Sequence, residues 1–388
     1  MKVMKDKEIG CCLWCVLLLL CLLSACRGDD IIIGPETEER GDTIVSQVLG
    51  LYLLNEGNMG SNKSTLDYYD FTRALYIRNI YSAANPGMAQ SLGDVGNDLA
   101  IYGSRLYAVL NCSNMVEVMD VSTAKHIGQV NVPNCRYLCF AGAYVYLTSY
   151  AGPVQLGGHS QIGYVAKIDT ATLQIVDTCH VGFQPDGLAV YGGKLYVANS
   201  GGYLVPNYET TVDVIDLVSF RKIASIDVAP NLDKLCVDSY GQLWVSSRGD
   251  YFDTESRLYC VDIRSNRVID TLDIPVGNMW LDGDSLYVCA SAFSYQTMQQ
   301  ESVCGIVDVS LRQIVTRQLV SDGTQIEVPY GIAVHPKTKD IYITDAGNYV
   351  TPGVLYCFAP DGEQRWSVRT GDIPAHFAFR EQSIIQSK

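Results

Sequence analysis

The sequence predicts an all-β fold, a seven-bladed β-propeller of four-stranded blades in which the C-terminal strand completes blade 1. Three repeated features predict it. An aliphatic residue followed by an aromatic residue in a short hydrophobic strand recurs seven times, at Tyr52, Tyr107, Tyr146, Tyr196, Trp244, Tyr287 and Tyr342. A second apolar motif lies just upstream in most repeats, and an aspartate closes a third strand further along.

The upstream motif is offset by one repeat, and this offset predicts circular closure. It recurs from DLAI at Asp98 through GLAV at Gly187 and GIAV at Gly331 to HFAF at His376, yet none precedes Tyr52 and one follows the last repeat. A ring that takes its last strand from the C-terminus explains that arrangement. We expect blades to begin near residues 49, 95, 136, 185, 232, 277 and 329, with closure through Ala375 to Arg380.

Six aspartates at the ends of third strands have two interpretations. They are Asp70, Asp120, Asp169, Asp216, Asp262 and Asp308. Carboxylates of this number suggest metal binding or acid–base chemistry. We favour a turn-forming role, because aspartate at a strand end accepts hydrogen bonds from nearby backbone N–H groups. Six copies spread round a ring also cannot converge on one substrate.

The first 25 residues read as a bacterial lipoprotein signal peptide, with a basic start, an apolar run and small residues before Cys26. The acyl chains on Cys26 would anchor the protein; an ordinary signal peptide is the alternative. Residues 26–48 read as a flexible tether, 49–380 as the propeller and 381–388 as a tail. Acidic Asp29 and Asp30 resemble the surface-export signal of Bacteroidota lipoproteins, which favours an outer-membrane, surface-exposed location. The alternative is a loosely acidic tether without an export role.

The charge and the cysteine content of the chain argue against two classes of function, nucleic-acid binding and zinc binding. Without residues 1–25 the chain keeps 25 basic and 40 acidic residues, a formal charge of −15, which disfavours a nucleic-acid partner. Nine cysteines lie beyond Cys26 with no CxxC spacing, so a zinc site is disfavoured. Several occupy equivalent strand positions and read as small buried residues. Disulfides are the alternative, since the compartment permits them.

The loops between second and third strands are the candidate ligand-binding region, because loops longer than the fold needs usually carry function. They span 150–161, 200–209, 247–255, 291–300 and 346–353, and they emerge on the same face as the connections between blades. A rim of tyrosine suits a large, partly apolar ligand. The residues predicted to contact it are Tyr150, Phe183, Tyr203, Tyr208, Arg248, Asp250, Tyr251, Phe252, Phe293, Tyr295, Tyr330 and Tyr349. The alternative is that these aromatics only cover the blade tops.

Catalysis has little support in the sequence. Of five histidines only His159 and His376 are placed to reach this face, and no GxSxG, HExxH or P-loop motif occurs. Loop carboxylates could instead bind a cation at the channel mouth, with solvated side chains as the alternative; these are Asp186, Asp233, Asp250, Asp253 and Glu56. We therefore expect no catalytic residues, no metal and no required cofactor.

The chain resembles the YncE-like propeller lipoproteins of Bacteroidota over about residues 49 to 380. The similarity is carried by NEGNMGSNKSTLDYYD at Asn55, YGIAVHPKTKDIYITDAGNY at Tyr330 and TGDIPAHFAF at Thr370. One branch, the BtuG surface lipoproteins, captures cobalamin and passes it to a TonB-dependent transporter. The resemblance implies the same propeller and anchor, with a corrinoid as lead candidate ligand. No corrinoid contact is carried over, because residues cannot be matched one by one.

The expectation is a lipid-anchored outer-membrane protein that captures a nutrient and delivers it to a TonB-dependent transporter, meeting the membrane through its anchor alone. Two other functions remain open at this point. One is a metal-dependent lactonase or lyase on the same fold, and the other is a protein-interaction scaffold in a surface complex.

Overall fold

The computed structural model describes residues 43–88, 91–157, 160–294 and 299–386. Its compact unit spans Ser46–Gln382. Seven antiparallel sheets of four strands each confirm the predicted seven-bladed β-propeller. The signal peptide, Cys26 and the proposed tether up to residue 42 lie outside the described residues, as do His159 and Tyr295.

The blades follow one another along the chain, and within each blade the strands run from the inner to the outer edge. Blade 1 contains β28 (Pro374–Gln386), β1 (Thr43–Asn55), β2 (Thr65–Asp70) and β3 (Leu75–Ile77). Blade 2 contains β4 (Gly96–Tyr102), β5 (Arg105–Leu110), β6 (Met115–Asp120) and β7 (His126–Asn131). Blade 3 contains β8 (Cys135–Ala141), β9 (Tyr144–Ser149), β10 (Ile162–Asp169) and β11 (Ile175–Phe183).

The remaining blades repeat this order. Blade 4 contains β12 (Pro185–Tyr191), β13 (Lys194–Asn199), β14 (Thr211–Asp216) and β15 (Arg221–Asp227). Blade 5 contains β16 (Leu232–Val237), β17 (Gln242–Ser247), β18 (Arg257–Asp262) and β19 (Arg267–Leu272). Blade 6 contains β20 (Asn278–Asp282), β21 (Ser285–Ser294), β22 (Gln299–Asp308) and β23 (Gln313–Thr316). Blade 7 contains β24 (Pro329–Val334), β25 (Ile341–Asp345), β26 (Pro352–Phe358) and β27 (Gln364–Asp372).

The ring closes through β28, which lies beside β1 as the inner strand of blade 1. The junction continues into the loops, where the Glu56 N–H donates to the Ile373 carbonyl at 2.8 Å. Two ranges differ from the sequence expectation. Strand β1 begins at Thr43, so residues 43–48 of the proposed tether belong to blade 1, and β28 continues to Gln386 into the proposed tail. Because β1 and β28 pair with each other, both strands extend beyond the residues of their sequence motifs.

The repeated second-strand aromatics fill the interfaces between blades. Six of them are at most 2% exposed, and Tyr287 is half-buried. Hydrophobic clusters join each blade to the next, and the cluster between blades 7 and 1 contains Leu51, Tyr342 and Phe377. Strands covered on both faces need nearly continuous apolar sequence, which explains why period-two alternation is weak.

The repeated aspartates shape turns, as predicted. In each of the six, a side-chain oxygen accepts hydrogen bonds from a backbone N–H two or three residues later; at Asp169 the donors are Ala171 at 3.0 Å and Thr172 at 2.8 Å. The bonds from Thr172 lower the pKa of Asp169, because they favour the ionised carboxylate. These carboxylates lie at separate outer turns and form no common site.

The nine cysteines of the described region are all free thiols. Five are buried and four are partly buried, in line with their interpretation as small apolar residues. Burial raises the pKa of Cys260 to about 12, so this thiol stays protonated at neutral pH.

Two elements differ from the sequence expectation. Residues 291–300 were predicted to form a loop, but β21 runs to Ser294 and β22 begins at Gln299, so the two strands form an extended hairpin. The ladder continues out to the pair Ser294 and Gln299. A short helix, α1 (Ile80–Ala84), follows β3 and buries Tyr81 against blade 2. Within the described residues, no helix has the length and apolar character needed to span a membrane.

Candidate functional site

The long loops and the inter-blade connections meet on one face, which we call the long-loop face. Ring contacts link neighbouring loops there, with Tyr150 and Tyr203 centred 6.4 Å apart and Tyr208 and Tyr251 also 6.4 Å apart. A backbone hydrogen bond of 2.8 Å joins Gly157 to the Tyr203 carbonyl. These contacts bring side chains from several blades to a common rim.

The predicted aromatics occupy three different depths at this rim. Tyr251, Phe252 and Tyr349 are the exposed ones, at 49%, 71% and 40% of their surface. Phe183, Tyr203, Tyr208 and Tyr330 are half-buried. Tyr150 is only 5% exposed and belongs to the channel below. The backbone of Phe293 lies in β21, but its side chain, like Tyr295, lies outside the described set.

A pocket of about 510 Å³ opens at the rim between blades 5 and 6. Three of the residues predicted to contact the ligand line this pocket, namely Arg248, Tyr251 and Phe252. Val276 and Ala290 add apolar surface to its lining. Its volume lies within the range of about 300 to 1,000 Å³ that is typical of small-molecule sites. The arrangement offers aromatic surface together with a polar wall that contains two guanidinium groups, from Arg248 and Arg317, and several carboxylates such as Asp273.

Asp250 organises the loop that carries the exposed aromatics. Its Oδ1 accepts hydrogen bonds from the N–H groups of Phe252 and Asp253 at 2.9 Å and of Thr254 at 2.8 Å. The bonds from Thr254 and Phe252 lower the pKa of Asp250. Tyr251 between them adopts a left-handed conformation with φ of 64°. The loop therefore holds Tyr251 and Phe252 in place through a carboxylate that points at the backbone.

Below the rim, the starts of three inner strands contribute a buried charge network. Asp186 of β12 has no exposed surface, and its two oxygens contact Arg136 Nε at 3.2 Å and Arg248 Nη1 at 2.9 Å. The Tyr150 hydroxyl donates to the same carboxylate at 2.6 Å. Because propeller inner strands surround the central channel, this cluster lies at the channel wall.

The network continues into blade 5. Arg248 also contacts Asp233 at 2.8 Å, and Lys234 Nζ lies 3.5 Å from the same Asp233 oxygen. Lys234 donates to the Tyr137 hydroxyl and sits 3.8 Å from the centre of the Tyr137 ring. Blades 3, 4 and 5 are thus joined at the channel by alternating positive and negative groups.

Electrostatics hold these groups in their charged forms. Burial alone would raise the pKa of Asp186, but Arg248 and Arg136 lower it to about 2. Burial alone would likewise lower the pKa of Lys234, while Asp233 beside it raises the pKa above its usual range. Asp186 and Asp233 were expected to bind a cation or to be solvated. Both expectations are wrong, because protein cations already neutralise these buried carboxylates.

Across the channel, Glu56 joins blades 1 and 7. Its two oxygens contact His376 Nε2 and the Tyr330 hydroxyl, each at 3.1 Å. Burial and the neighbouring Glu56 raise the pKa of Tyr330 well above its ordinary value, so it stays a hydrogen-bond donor. The Tyr330 ring packs edge-on against exposed Tyr349 at 5.8 Å. In the described part of the chain, no group of three metal-ligating side chains comes together.

Sequence reasoning missed Arg136, Tyr137 and Lys234, although a signal for them was present. Aligning the inner-strand motifs places Tyr137, Lys234 and His376 at one repeat position, immediately before the first apolar residue of the motif, which is Leu138, Leu235 or Phe377. The position before it holds Arg136 in blade 3, where the strand has an irregular register. Charged residues next to an otherwise apolar inner strand mark the channel wall.

Solved structures with the same fold are similar to the chain at low identity. One is hydrazine synthase from Kuenenia stuttgartiensis, at 17% identity with 75% of this chain and 96% of that chain covered and a TM-score of 0.60. Another is a quinonprotein alcohol dehydrogenase-like protein from Bacteroides thetaiotaomicron, at 13% identity, 86% and 79% coverage and a TM-score of 0.59. A third is dihydro-heme d1 dehydrogenase NirN, at 14% identity, 88% and 77% coverage and a TM-score of 0.54.

These likenesses bear on the fold alone. No curated protein sequence matches the chain. The sequence profile of a family described as a domain of unknown function, DUF5074, matches residues 49–364, which cover strands β2 to β26 and most of β1. The chain therefore belongs to the DUF5074 family.

Proposed function

We propose that this protein is a lipid-anchored binding protein of the outer membrane that captures a nutrient on its long-loop face. The observation that carries the proposal is the pocket of about 510 Å³ between blades 5 and 6, with exposed Tyr251 and Phe252 at its entrance. Rigid aromatic side chains supply large contact area at low entropic cost. Capture followed by delivery to a TonB-dependent transporter is the proposed role.

A corrinoid is the lead candidate ligand. Its macrocycle offers flat apolar area for aromatic side chains, and its amide fringe offers partners for polar groups at the rim. The pocket would hold one part of such a molecule, while the rest would lie over the channel mouth toward Tyr349, which is 40% exposed. The resemblance to the BtuG surface lipoproteins also supports this choice.

The ion pairs and hydrogen bonds of the buried carboxylates support a role in binding without chemical conversion of the ligand. Asp186 is held as a carboxylate by Arg136 and Arg248, so it is poorly suited to accept a proton at neutral pH. Glu56 is engaged by both His376 and Tyr330. We therefore propose a binding role with no required cofactor.

Replacing Tyr251 and Phe252 together with alanine is expected to weaken cyanocobalamin binding at least tenfold, because loss of an aromatic anchor typically costs about 2 kcal/mol or more. Isothermal titration calorimetry measures the change. Tyr240→Ala is the matched control, since Tyr240 is 47% exposed but lies in a turn on the opposite face. A folded wild-type protein that gives no heat with cyanocobalamin at micromolar concentration would contradict the corrinoid proposal, as would an equal loss in the control.

Replacing Cys26 with alanine is expected to abolish lipid attachment, because the acyl chains are proposed to be carried by that residue. Labelling with radioactive palmitate in a Bacteroidota host, followed by fractionation, tests this. The wild-type chain should carry label and sediment with the outer membrane. Label that persists in the variant would show that Cys26 is not the anchor. Cys139→Ala, which alters a thiol inside the propeller, controls for the loss of a cysteine as such.

A further inference from the structure

The channel wall of blades 3 to 5 carries more positive than negative groups. Arg136, Arg248 and Lys234 form ion pairs with only two carboxylates, Asp186 and Asp233. The whole chain has a formal charge of −14, so this cluster is a positive region within an acidic protein. Such a region attracts anions that the rest of the surface repels.

Arg136 has a hydrogen-bonding edge that the protein leaves open. Its Nε is directed at Asp186, but its two terminal nitrogens make no hydrogen bond within the described residues, and 19% of its side chain remains exposed. The guanidinium is fixed in place, with its central carbon 4.9 Å from the Tyr150 ring centre and 5.7 Å from that of Tyr137. Two parallel N–H groups on one rigid edge match the two oxygens of a carboxylate or phosphate.

Lys234 adds a second cation to this part of the channel wall. It contacts the same Tyr137 ring as Arg136, from 3.8 Å. Arg248 is already bound to two carboxylates, which leaves Arg136 and Lys234 as the cations with donors to spare. Glu56, a carboxylate on the opposite side of the channel, is engaged by His376 and Tyr330.

We propose that Arg136 and Lys234 form an oxyanion subsite that binds a phosphate or carboxylate group, with Arg136 donating two hydrogen bonds and Lys234 adding charge. The subsite deepens the proposed capture function, on which its biological role rests, by assigning an acidic group to the captured molecule. That group enters from the long-loop face and stops at the channel wall, while the apolar part of the molecule meets the aromatic rim.

The test uses inorganic phosphate as the probe, with calorimetry on the mature chain at constant ionic strength. We expect saturable binding at millimolar phosphate and at least a tenfold loss in Arg136→Gln, with a smaller loss in Lys234→Gln. Arg136→Lys, which keeps the charge without the two-pronged edge, should fall between wild type and Arg136→Gln. Arg221→Gln is the control, because Arg221 is exposed on outer strand β15 and should leave binding unchanged.

Absence of saturable phosphate and acetate binding to the wild-type chain up to about 20 mM would overturn the proposal, because this concentration lies well above the millimolar range in which binding is expected. Equal losses in Arg136→Gln and Arg221→Gln would overturn it too, by showing diffuse surface attraction. Thermal melting checks that each variant is folded, and the wild-type titration stands even where a variant is not. Because the probe is an inorganic ion, the result does not depend on corrinoid binding.

Competition between phosphate and cyanocobalamin shows whether the bound oxyanion belongs to the captured ligand or is a free anion. Phosphate that displaces cyanocobalamin, whose nucleotide loop carries a phosphate, assigns the subsite to an acidic group of the ligand. Phosphate that binds together with cyanocobalamin assigns it to a free anion. Failure of cyanocobalamin to bind, with phosphate still bound by Arg136, would refute the corrinoid proposal and leave the oxyanion subsite in place.

Discussion

Truncation of the chain after Ile373 is expected to abolish cooperative folding. The deletion removes β28, the inner strand of blade 1, and leaves β1 as an unpaired edge at the channel. It also removes Phe377, which is 7% exposed and packs with Leu51 and Leu53 at the interface between blades 7 and 1. Loss of one such phenylalanine alone costs about 3 to 5 kcal/mol. Together with a whole ladder of hydrogen bonds, this loss is comparable to the entire stability of a typical domain, about 5 to 15 kcal/mol.

Urea unfolding followed by circular dichroism measures this effect, with a chain ending at Gln386 as the length control. A sharper control moves the strand instead of deleting it. Ser46 Oγ donates to Glu381 at 2.5 Å, so the end of β28 lies beside the start of β1. A permutant with residues 374–386 placed before Thr43 through a short glycine–serine linker should therefore recover the cooperative transition. A truncated chain that unfolds at the wild-type midpoint would show that the ring does not need β28.

The blades could be predicted because each repeats features that are local in sequence. A buried aromatic such as Tyr196 and a turn aspartate such as Asp216 lie within one blade, and the same packing and turn problems recur in the next one. Closure could be predicted for a related reason: the motif at His376 had no partner unless it joined β1. Physical requirements that recur at fixed spacing leave a pattern that one sequence is enough to reveal.

The candidate site could be predicted only in part, because its contacts cross between blades. Tyr150 and Tyr251 are both tyrosines in long loops, yet one is 5% exposed and the other 49%. The difference comes from Asp186, which lies 36 residues from Tyr150 and takes its hydroxyl into the channel network. How deeply a loop tyrosine is buried depends on the residue of the next blade that faces it. The spacing of residues within one blade does not reveal that neighbour.

The ion pairs at the channel were missed for a similar reason. Asp186 read alone is a carboxylate near a loop, which suggested cation binding. Its partners Arg136 and Arg248 come from the preceding and following blades, 50 and 62 residues away. Only the packing of three successive blades around the channel brings the starts of β8 and β12 and the end of β17 together, so the pairing becomes visible after the inner strands are aligned.

Replacing Asp186 with asparagine is expected to lower the free energy of unfolding by about 3 kcal/mol or more at pH 7. The substitution keeps the size of the side chain and an oxygen for the Tyr150 hydroxyl, but it leaves Arg136 and Arg248 without the carboxylate between them. Asp169→Asn is the matched control, because Asp169 is an outer-turn residue and exposed substitutions usually change stability by less than about 0.5 kcal/mol. Urea unfolding of both variants gives the comparison.

The pH dependence of the stability difference between wild type and Asp186→Asn tests whether the loss of the carboxylate charge causes the destabilisation. The pKa of Asp186 falls from an ordinary value of 3.8 to about 2 in the folded protein. A depressed pKa means that the carboxylate stabilises the fold fully above the unfolded value and loses this contribution as pH falls toward 2. The difference in stability between wild type and Asp186→Asn should therefore be constant above about pH 5 and shrink between pH 4 and pH 2. The turn aspartates titrate in both proteins, so their contribution cancels. A difference that stays unchanged to pH 2 would mean that shape, not the carboxylate charge, holds blades 3 to 5 together at the channel.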